Sequence, residues 1–305
     1  MYMSNDLLNI YIKTLIDNVN IENIPKEIDI IFDGGAFNGG MGFGIALYLK
    51  ELEKKHKIKV TRVSGCSIGA IIALSYLLDL KYDINEVFIS TCKNFKKTFN
   101  LSVFKNHIKK IIYENLTDDL SLINDKLYIT YYDAINYKHI MICEYENREH
   151  LLECLMRSCH IPYITSNVFK YDNKYIDGIA PYIFRDGERD ILFIKMITCK
   201  NYRRIFNIRN EQNVNERMII GVNDINKFLT IGKSDMCSYY KNWSYISILL
   251  LRLRLLIVFI ILWIVDRLTN IKCLLPTSLF EHSIIKNLYY LSCELYSDMM
   301  YKIIN

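Results

Sequence analysis

Eight of the twelve glycines in this 305-residue chain fall between positions 34 and 69, at 34, 35, 39, 40, 42, 44, 65 and 69. Glycine is the residue that takes left-handed dihedrals freely and lets backbones approach closely. A chain that concentrates it in one stretch must build tight loops or close contacts there, and this is the strongest constraint the sequence carries.

The segments around the cluster alternate. Residues 28–32 form a short buried-strand run, apolar but for Asp29 and ended by Asp33 and the first glycines. Residues 41–55 carry Phe43, Ala46, Leu47, Leu49 and Leu52 at helical spacing. Residues 58–63 alternate like a strand and run into Ser64-Gly65-Cys66-Ser67-Ile68-Gly69, and 70–80 is apolar nearly all round, the pattern of a buried helix. Further helices are expected at 84–94, 103–115 and 148–159, and strands at 126–133, 139–145, 169–175 and 191–198, with Asp177-Gly178 as a turn. This order predicts an α/β sandwich with a mostly parallel sheet. At the N-terminus Leu7, Leu8, Ile12, Leu15, Ile16 and Val19 recur at helical spacing, so residues 1–24 read as an amphipathic helix packed on a domain at 25–200, and 201–305 as a helical C-terminal region.

Composition narrows the class. Apolar residues at 51% and charged residues at 23% exclude extended disorder. The 38 Lys and Arg against 33 Asp and Glu leave +5, too diffuse to argue for nucleic acid but suited to an anionic membrane surface. The nine cysteines are scattered, with no C-x-x-C and no Cys/His pair at zinc-ligand spacing, so reduced thiols are expected and neither a disulfide framework nor a metal site. The first residues lack a basic stretch followed by a pure apolar run, so no classical secretory signal is expected and the protein reads as intracellular.

Gly65-Cys66-Ser67-Ile68-Gly69 fits G-x-S-x-G between a predicted strand and a predicted helix. A sharp strand-to-helix turn lifts a serine Oγ above the sheet, and small residues two places away let the chain pass. The new helix aims its N-terminal N–H groups at developing negative charge. Ser67 is thus the candidate nucleophile. Cys66 is a rival, but no histidine neighbours it to make a thiolate. Asp33-Gly34-Gly35-Ala36-Phe37-Asn38-Gly39-Gly40 also leaves a strand and opens a helix, so it presents consecutive N–H groups to an anion. It lacks an in-register G-x-G-x-x-G, and no G-K-[ST] exists, so an oxyanion hole serving Ser67 is preferred to nucleotide binding.

An acyl-transfer serine needs a base. Downstream of Asp177 the only histidine is His282, beyond a long apolar segment. A triad would have to use it; a carboxylate acting directly on the serine is the stronger candidate, and the best-placed acid is Asp177, where a strand ends on Gly178.

The glycine loop at 34–39, G-x-S-x-G at 65–69 and Asp-Gly at 177–178, in that order, resemble the patatin-like phospholipase family. The stretch 154–162 resembles the branch that includes adipose triglyceride lipase and adiponutrin. The resemblance implies a three-layer α/β/α fold, a Ser67–Asp177 dyad with Ser67 as nucleophile and Asp177 as general base, and oxyanion donors at Gly35 and Ala36, with Gly34 and Gly39 shaping the loop. It implies hydrolysis of acyl esters in phospholipids or neutral glycerolipids, without metal or organic cofactor. A catalytically weak lipid-binding or scaffold protein on the same fold, or a transacylase, is the alternative. Three positions depart from the family pattern: Ala36 stands for a usual glycine, Asn38 where many members carry a base, and Ile179 where glycine or alanine is usual. An Asn38 amide would still be able to donate a hydrogen bond.

Residues 243–265 are strongly apolar, but the uninterrupted part, 255–265, is short of the roughly 20 residues that span a bilayer. Extending back crosses Arg252 and Arg254, whose insertion penalty cancels most of the apolar gain. Residues two apart lie about 200° round a helix, so the arginines do not share a narrow polar face and a clean interfacial helix is not expected. Spanning, shallow insertion and core packing are all open, and for a lipid enzyme shallow membrane contact is the default.

Overall fold

The computed structural model describes residues 5–19, 24–55, 57–78, 80, 82–274 and, singly or in pairs, 290, 291, 294, 295, 298 and 301. The strands are β1 (Glu27–Phe32), β2 (Lys59–Cys66), β3 (Leu127–Asp133), β4 (Lys138–Ile142), β5 (Tyr175–Ile176), β6 (Asp190–Ile194) and β7 (Cys237–Tyr239). The helices are α1 (Asn5–Asp17), α2 (Gly39–Lys54), α3 (Ile68–Leu77), α4 (Ile84–Thr98), α5 (Ser102–Asn115), α6 (Arg148–Ser158), α7 (Asn215–Ile231) and α8 (Tyr245–Leu274).

β1 is buried without a break from Ile28 to Phe32, as a strand covered on both faces must be. It lies at the sheet centre, parallel to β2 on one side and β6 on the other. The order β4-β3-β2-β1-β6-β7 keeps the interior parallel and puts antiparallel strands at both edges. With helices covering it, this is the expected three-layer α/β/α sandwich with a mostly parallel sheet. α1 buries Leu8, Ile12 and Ile16 and packs against α2 and α7.

α2 and α7 cross closely because Gly44 and Gly221 face the partner's backbone: a Cβ on Gly44 would strike the Met218 carbonyl, and one on Gly221 the Met41 carbonyl. Part of the glycine cluster therefore serves this helix crossing.

Two expectations change. The strand expected over 169–175 is a turn closed by a Tyr171–Tyr175 bridge, with Asp172 and Asn173 at φ 49° and 55°, a conformation these two residue types tolerate better than most. Only β5 remains extended. Residues 211–243, assigned from sequence to a helical C-terminal region, include a strand: β7 extends the sheet beside β6 and α7 covers α2. One compact unit comprises Met1–Ile205 with Glu211–Trp243, the other Phe206–Asn210 with Ser244–Asn305.

In the second unit, α8 carries an exposed apolar face. Ile246, Leu249, Leu250, Leu253, Leu256, Ile257, Ile260, Trp263 and Ile264 are all exposed, and at about 100° per residue they fall within an arc of about 140°. Arg252 and Arg254 fall just outside that arc, one on each side. The two arginines bracket a continuous apolar stripe, so their separation round the helix leaves one apolar face between them. Among the described residues no helix is long and apolar enough to cross a membrane.

Candidate active site

Two strand ends meet on one edge of β3. The opposite edge is taken by β4, which pairs His139 with Tyr132 and Lys138 with Asp133. The open edge receives β2, whose last residue Cys66 pairs with Thr130. It then receives β5, running the other way, whose Ile176 pairs with Tyr132. One residue further along each chain, Ser67 and Asp177 both come level with Tyr131. The next residue, Gly178, abuts β2: a Cβ there would lie 3.0 Å from the Cys66 Cβ and run into the Thr130 carbonyl. The register sets Ser67 and Asp177 at the same level of β3.

The end of α6 ties the two segments together. Ser67 N–H donates to Ser158 Oγ at 2.9 Å. Gly178 N–H donates to the Ser158 carbonyl at 3.3 Å, and Asp177 N–H to the His160 carbonyl at 2.9 Å. Ile179 N–H donates to Asp177 Oδ1 at 3.0 Å. Ser67 sits at φ 53°, ψ −133°, a region a side-chain-bearing residue occupies only when its surroundings impose it. The surroundings do so here. Side chains on Gly65 and Gly69 would collide with backbone, that of Gly69 and that of Phe32 and Asp33 respectively, so the elbow closes only with glycine at both places.

The glycine loop lies beside the serine: a Cβ on Gly34 would be 3.5 Å from that of Ser67. Gly34 N–H is held by Asp33 Oδ1 at 2.9 Å. Phe37 N–H goes to the Ile205 carbonyl at 3.2 Å and Asn38 N–H to the Gly35 carbonyl at 2.9 Å. Among the described residues, no hydrogen bond takes the N–H of Gly35 or Ala36. Gly39 opens α2 where a Cβ would overlap the Ile68 side chain.

The three departures have distinct outcomes. Ala36 at φ 46° and Ile179 at φ 59° both adopt the left-handed region, where a β-branched residue is a true outlier. Asn38 is turned into the protein interior. It is fully buried, its Nδ2 donates to the Met196 and Asn201 carbonyls at 2.8 and 3.2 Å, and its Oδ1 accepts from Arg217 Nη1 at 2.9 Å. The amide expected as a spare oxyanion donor is instead a strut under the loop. Ser158 lies in the stretch 154–162 but carries no site role in the sequence, and Arg217 lies 179 positions from Asn38, with no local pattern linking them.

Other thiols and imidazoles near Ser67 and Asp177 are buried or engaged with the protein itself. The Cys66 thiol is fully buried and turned toward Asp33 Oδ1 at 3.9 Å. Burial, then the Asp177 charge, push the Cys159 thiol far up. His139 Nε2 buttresses the Asp177 turn from the Gly178 and Ala180 carbonyls, at 3.1 and 3.0 Å. The fully buried His160 ring packs on Tyr171, 5.8 Å between centroids. His282 lies outside the described residues. Among those residues, no group of three or more His, Cys, Asp or Glu is placed to hold a metal ion.

A pocket leads away from Ser67 between the loop and the helices, lined by residues such as Phe37, Ile71, Val87, Phe88, Phe104 and Ile108. Its polar side chains are satisfied internally: the Tyr82 hydroxyl bonds Ser75 Oγ, Thr91 Oγ1 donates to the Val87 carbonyl and Thr165 Oγ1 to that of Cys159. The wall it offers a ligand is hydrocarbon.

Comparison with curated proteins finds no significant match for the chain. The family model described as patatin-like phospholipase matches residues 30–180, the segment that runs from within β1 through Ser67 to Asp177, and this match supports a family of lipid acyl hydrolases.

Proposed function

We propose that the protein is a serine acylhydrolase that cleaves acyl esters of phospholipids or neutral glycerolipids with a Ser67–Asp177 dyad. The observation that carries this reading is the hydrocarbon pocket opening at Ser67, the residue that β3 brings level with Asp177. An acyl chain fills the pocket and sets its ester carbonyl over the serine. Asp177 takes the Ser67 proton as Oγ attacks the carbonyl carbon, and the tetrahedral oxyanion is received by the N–H groups of Gly35 and Ala36. Collapse expels the alcohol with the proton from Asp177 and leaves an acyl-Ser67 ester. Water, deprotonated by Asp177, then attacks that ester, and the fatty acid leaves as the proton returns to Ser67.

The test is labelling with a fluorophosphonate probe. Wild type should label and Ser67→Ala should not, and Asp177→Asn should lose lipid turnover. Labelling that survives Ser67→Ala removes the serine from this role, and full turnover in Asp177→Asn removes the dyad. A panel of phosphatidylcholine and triacylglycerol substrates separates the phospholipase from the neutral lipase that the likeness of 154–162 suggests.

α8 supports a lipid surface as the protein's working place inside the cell. Its apolar stripe is bracketed by Arg252 and Arg254, whose long stems let the charged heads reach phosphates while the stripe enters the acyl region. Tyr245 and Trp263 stand near the two ends of the exposed stretch, suited to interface depth. Flotation with vesicles of phosphatidylcholine and phosphatidylserine should carry wild type upward and leave Leu250→Asp/Leu253→Asp behind. Equal flotation of both would show that α8 is not the membrane-binding element.

A further inference from the structure

Arg217 is the largest fully buried side chain of the described protein, and the reaction as described does not use it. A guanidinium is expensive to bury unless its N–H groups find acceptors, and an apolar residue of similar volume is usually at least as stabilising in such a place. Packing therefore does not account for a charge here. Its partners point to another use. One side of the group meets Glu211, through Nε at 2.9 Å and Nη2 at 2.7 Å. The other side meets the glycine loop's supports: Nη1 donates to Asn38 Oδ1 and to the Arg204 carbonyl, each at 2.9 Å.

Both contacts lead to the oxyanion donors. Asn38 closes its own N–H onto the Gly35 carbonyl while its side-chain amide spans Met196 and Asn201. Arg204 precedes Ile205, whose carbonyl receives the Phe37 N–H. Phe37 and Asn38 are the two residues that follow Ala36, so one guanidinium fixes the C-terminal half of the loop from two directions. Gly40 makes this approach possible, because a Cβ there would lie 2.9 Å from the Arg217 Cβ and 3.3 Å from its Cδ.

We propose that Arg217 is the positioning residue of the oxyanion loop, holding Asn38 and Arg204 so that the Gly35 and Ala36 N–H groups stay aimed at the reacting carbonyl. The proposal rests on the serine acylhydrolase reading for its catalytic consequence. It also adds to the machinery a helix that lies beyond the matched residues 30–180.

Two measurements on the full chain test it. With p-nitrophenyl decanoate, Arg217→Gln should lower kcat at least 30-fold while KM stays within twofold, and Arg217→Lys should recover part of the loss. Ile12→Ala, in α1, serves as the stability control: it should lower Tm and keep kcat within twofold. In hydrogen exchange, the Phe37 and Asn38 amides should exchange at least tenfold faster in Arg217→Gln, with the amides of β1 and β2 unchanged. An unchanged kcat in active protein, unchanged loop exchange, or a uniform rise across the sheet would overturn the proposal and leave Arg217 a fold residue. If Arg217→Gln does not fold, Arg217→Lys carries both readouts, with partial changes expected and none overturning it. If wild type and Ser67→Ala hydrolyse the ester equally slowly, the acylhydrolase reading has failed, and the exchange comparison still decides whether Arg217 holds the loop.

Discussion

Ser158 holds Ser67 by a bond to its backbone: the Ser67 N–H reaches Ser158 Oγ at 2.9 Å, and the Ser158 carbonyl takes the Gly178 N–H. One residue thus fixes the chain at Ser67 and directly after Asp177. Ser67 needs such a hold, because φ 53° is not a conformation it would keep unaided.

Ser158→Ala removes the acceptor and leaves a buried N–H unsatisfied, at a cost of about 1–3 kcal/mol. Labelling by a fluorophosphonate should slow about tenfold, since roughly 1.4 kcal/mol of misplacement at the nucleophile is a factor of ten. A labelling rate equal to wild type would show that the glycine packing alone sets the elbow.

Ala36→Gly should stabilise the protein. A left-handed residue with a Cβ carries roughly 1–2 kcal/mol of strain that glycine does not, and only a methyl group is lost. Set against glycine's greater unfolded-state freedom, the net gain is about 1 kcal/mol, read as a Tm rise of roughly 2–4 °C. A fall in Tm would mean that the methyl packs against something worth more than the strain.

His160 sets an acid limit on stability. Burial, reinforced by the nearby Lys105 charge, holds its imidazole down to about 4 in the folded protein, against 6.5 in an open chain. Between those values the unfolded chain binds a proton that the folded chain does not, so stability falls as pH drops through 6.5 and the loss is complete below about 4. A shift of that size corresponds to about 3 kcal/mol. Wild type should lose roughly 5–10 °C more in Tm between pH 7.5 and 4.5 than His160→Gln does. Equal acid sensitivity in the two proteins would assign the acid limit to other groups.

What was legible from sequence was whatever a local pattern encodes. G-x-S-x-G between a strand and a helix marks an elbow because two glycines and a turn lie within five residues, and the structure bends there at Ser67. The run at 28–32, apolar but for Asp29, announced the central strand for the same reason. The supports were not legible because they are made by residues distant in the chain. Arg217 meets Asn38 only once α7 has crossed α2, and Ser158 meets Ser67 only once α6 lies over β3. The glycine cluster announces tight loops or close contacts, but that Gly40 and Gly44 answer to α7 is something composition has no means of showing. The face of α8 is set by the exposed apolar residues that lie round the helix between Arg252 and Arg254, which the angle between the two arginines alone does not reveal.

The pocket beyond Ser67 should read the length of an acyl chain. Its walls are apolar, and the polar atoms of Tyr82, Thr91 and Thr165 are occupied by protein partners, so each methylene that enters leaves water for hydrocarbon without displacing a hydrogen bond. At roughly 0.8 kcal/mol per buried methylene, kcat/KM for a series of p-nitrophenyl esters should rise about fourfold per added CH₂, then level off once the chain fills the space. Thr91 lines this pocket from α4, and Thr91→Phe adds bulk inside it. That variant should reach its plateau at a shorter chain while turning over the shortest ester at the wild-type rate, because Ser67, Asp177 and the loop are untouched. A flat dependence on chain length in wild type would mean that the acyl group lies elsewhere. An unshifted plateau in Thr91→Phe would place the chain along another wall of the pocket.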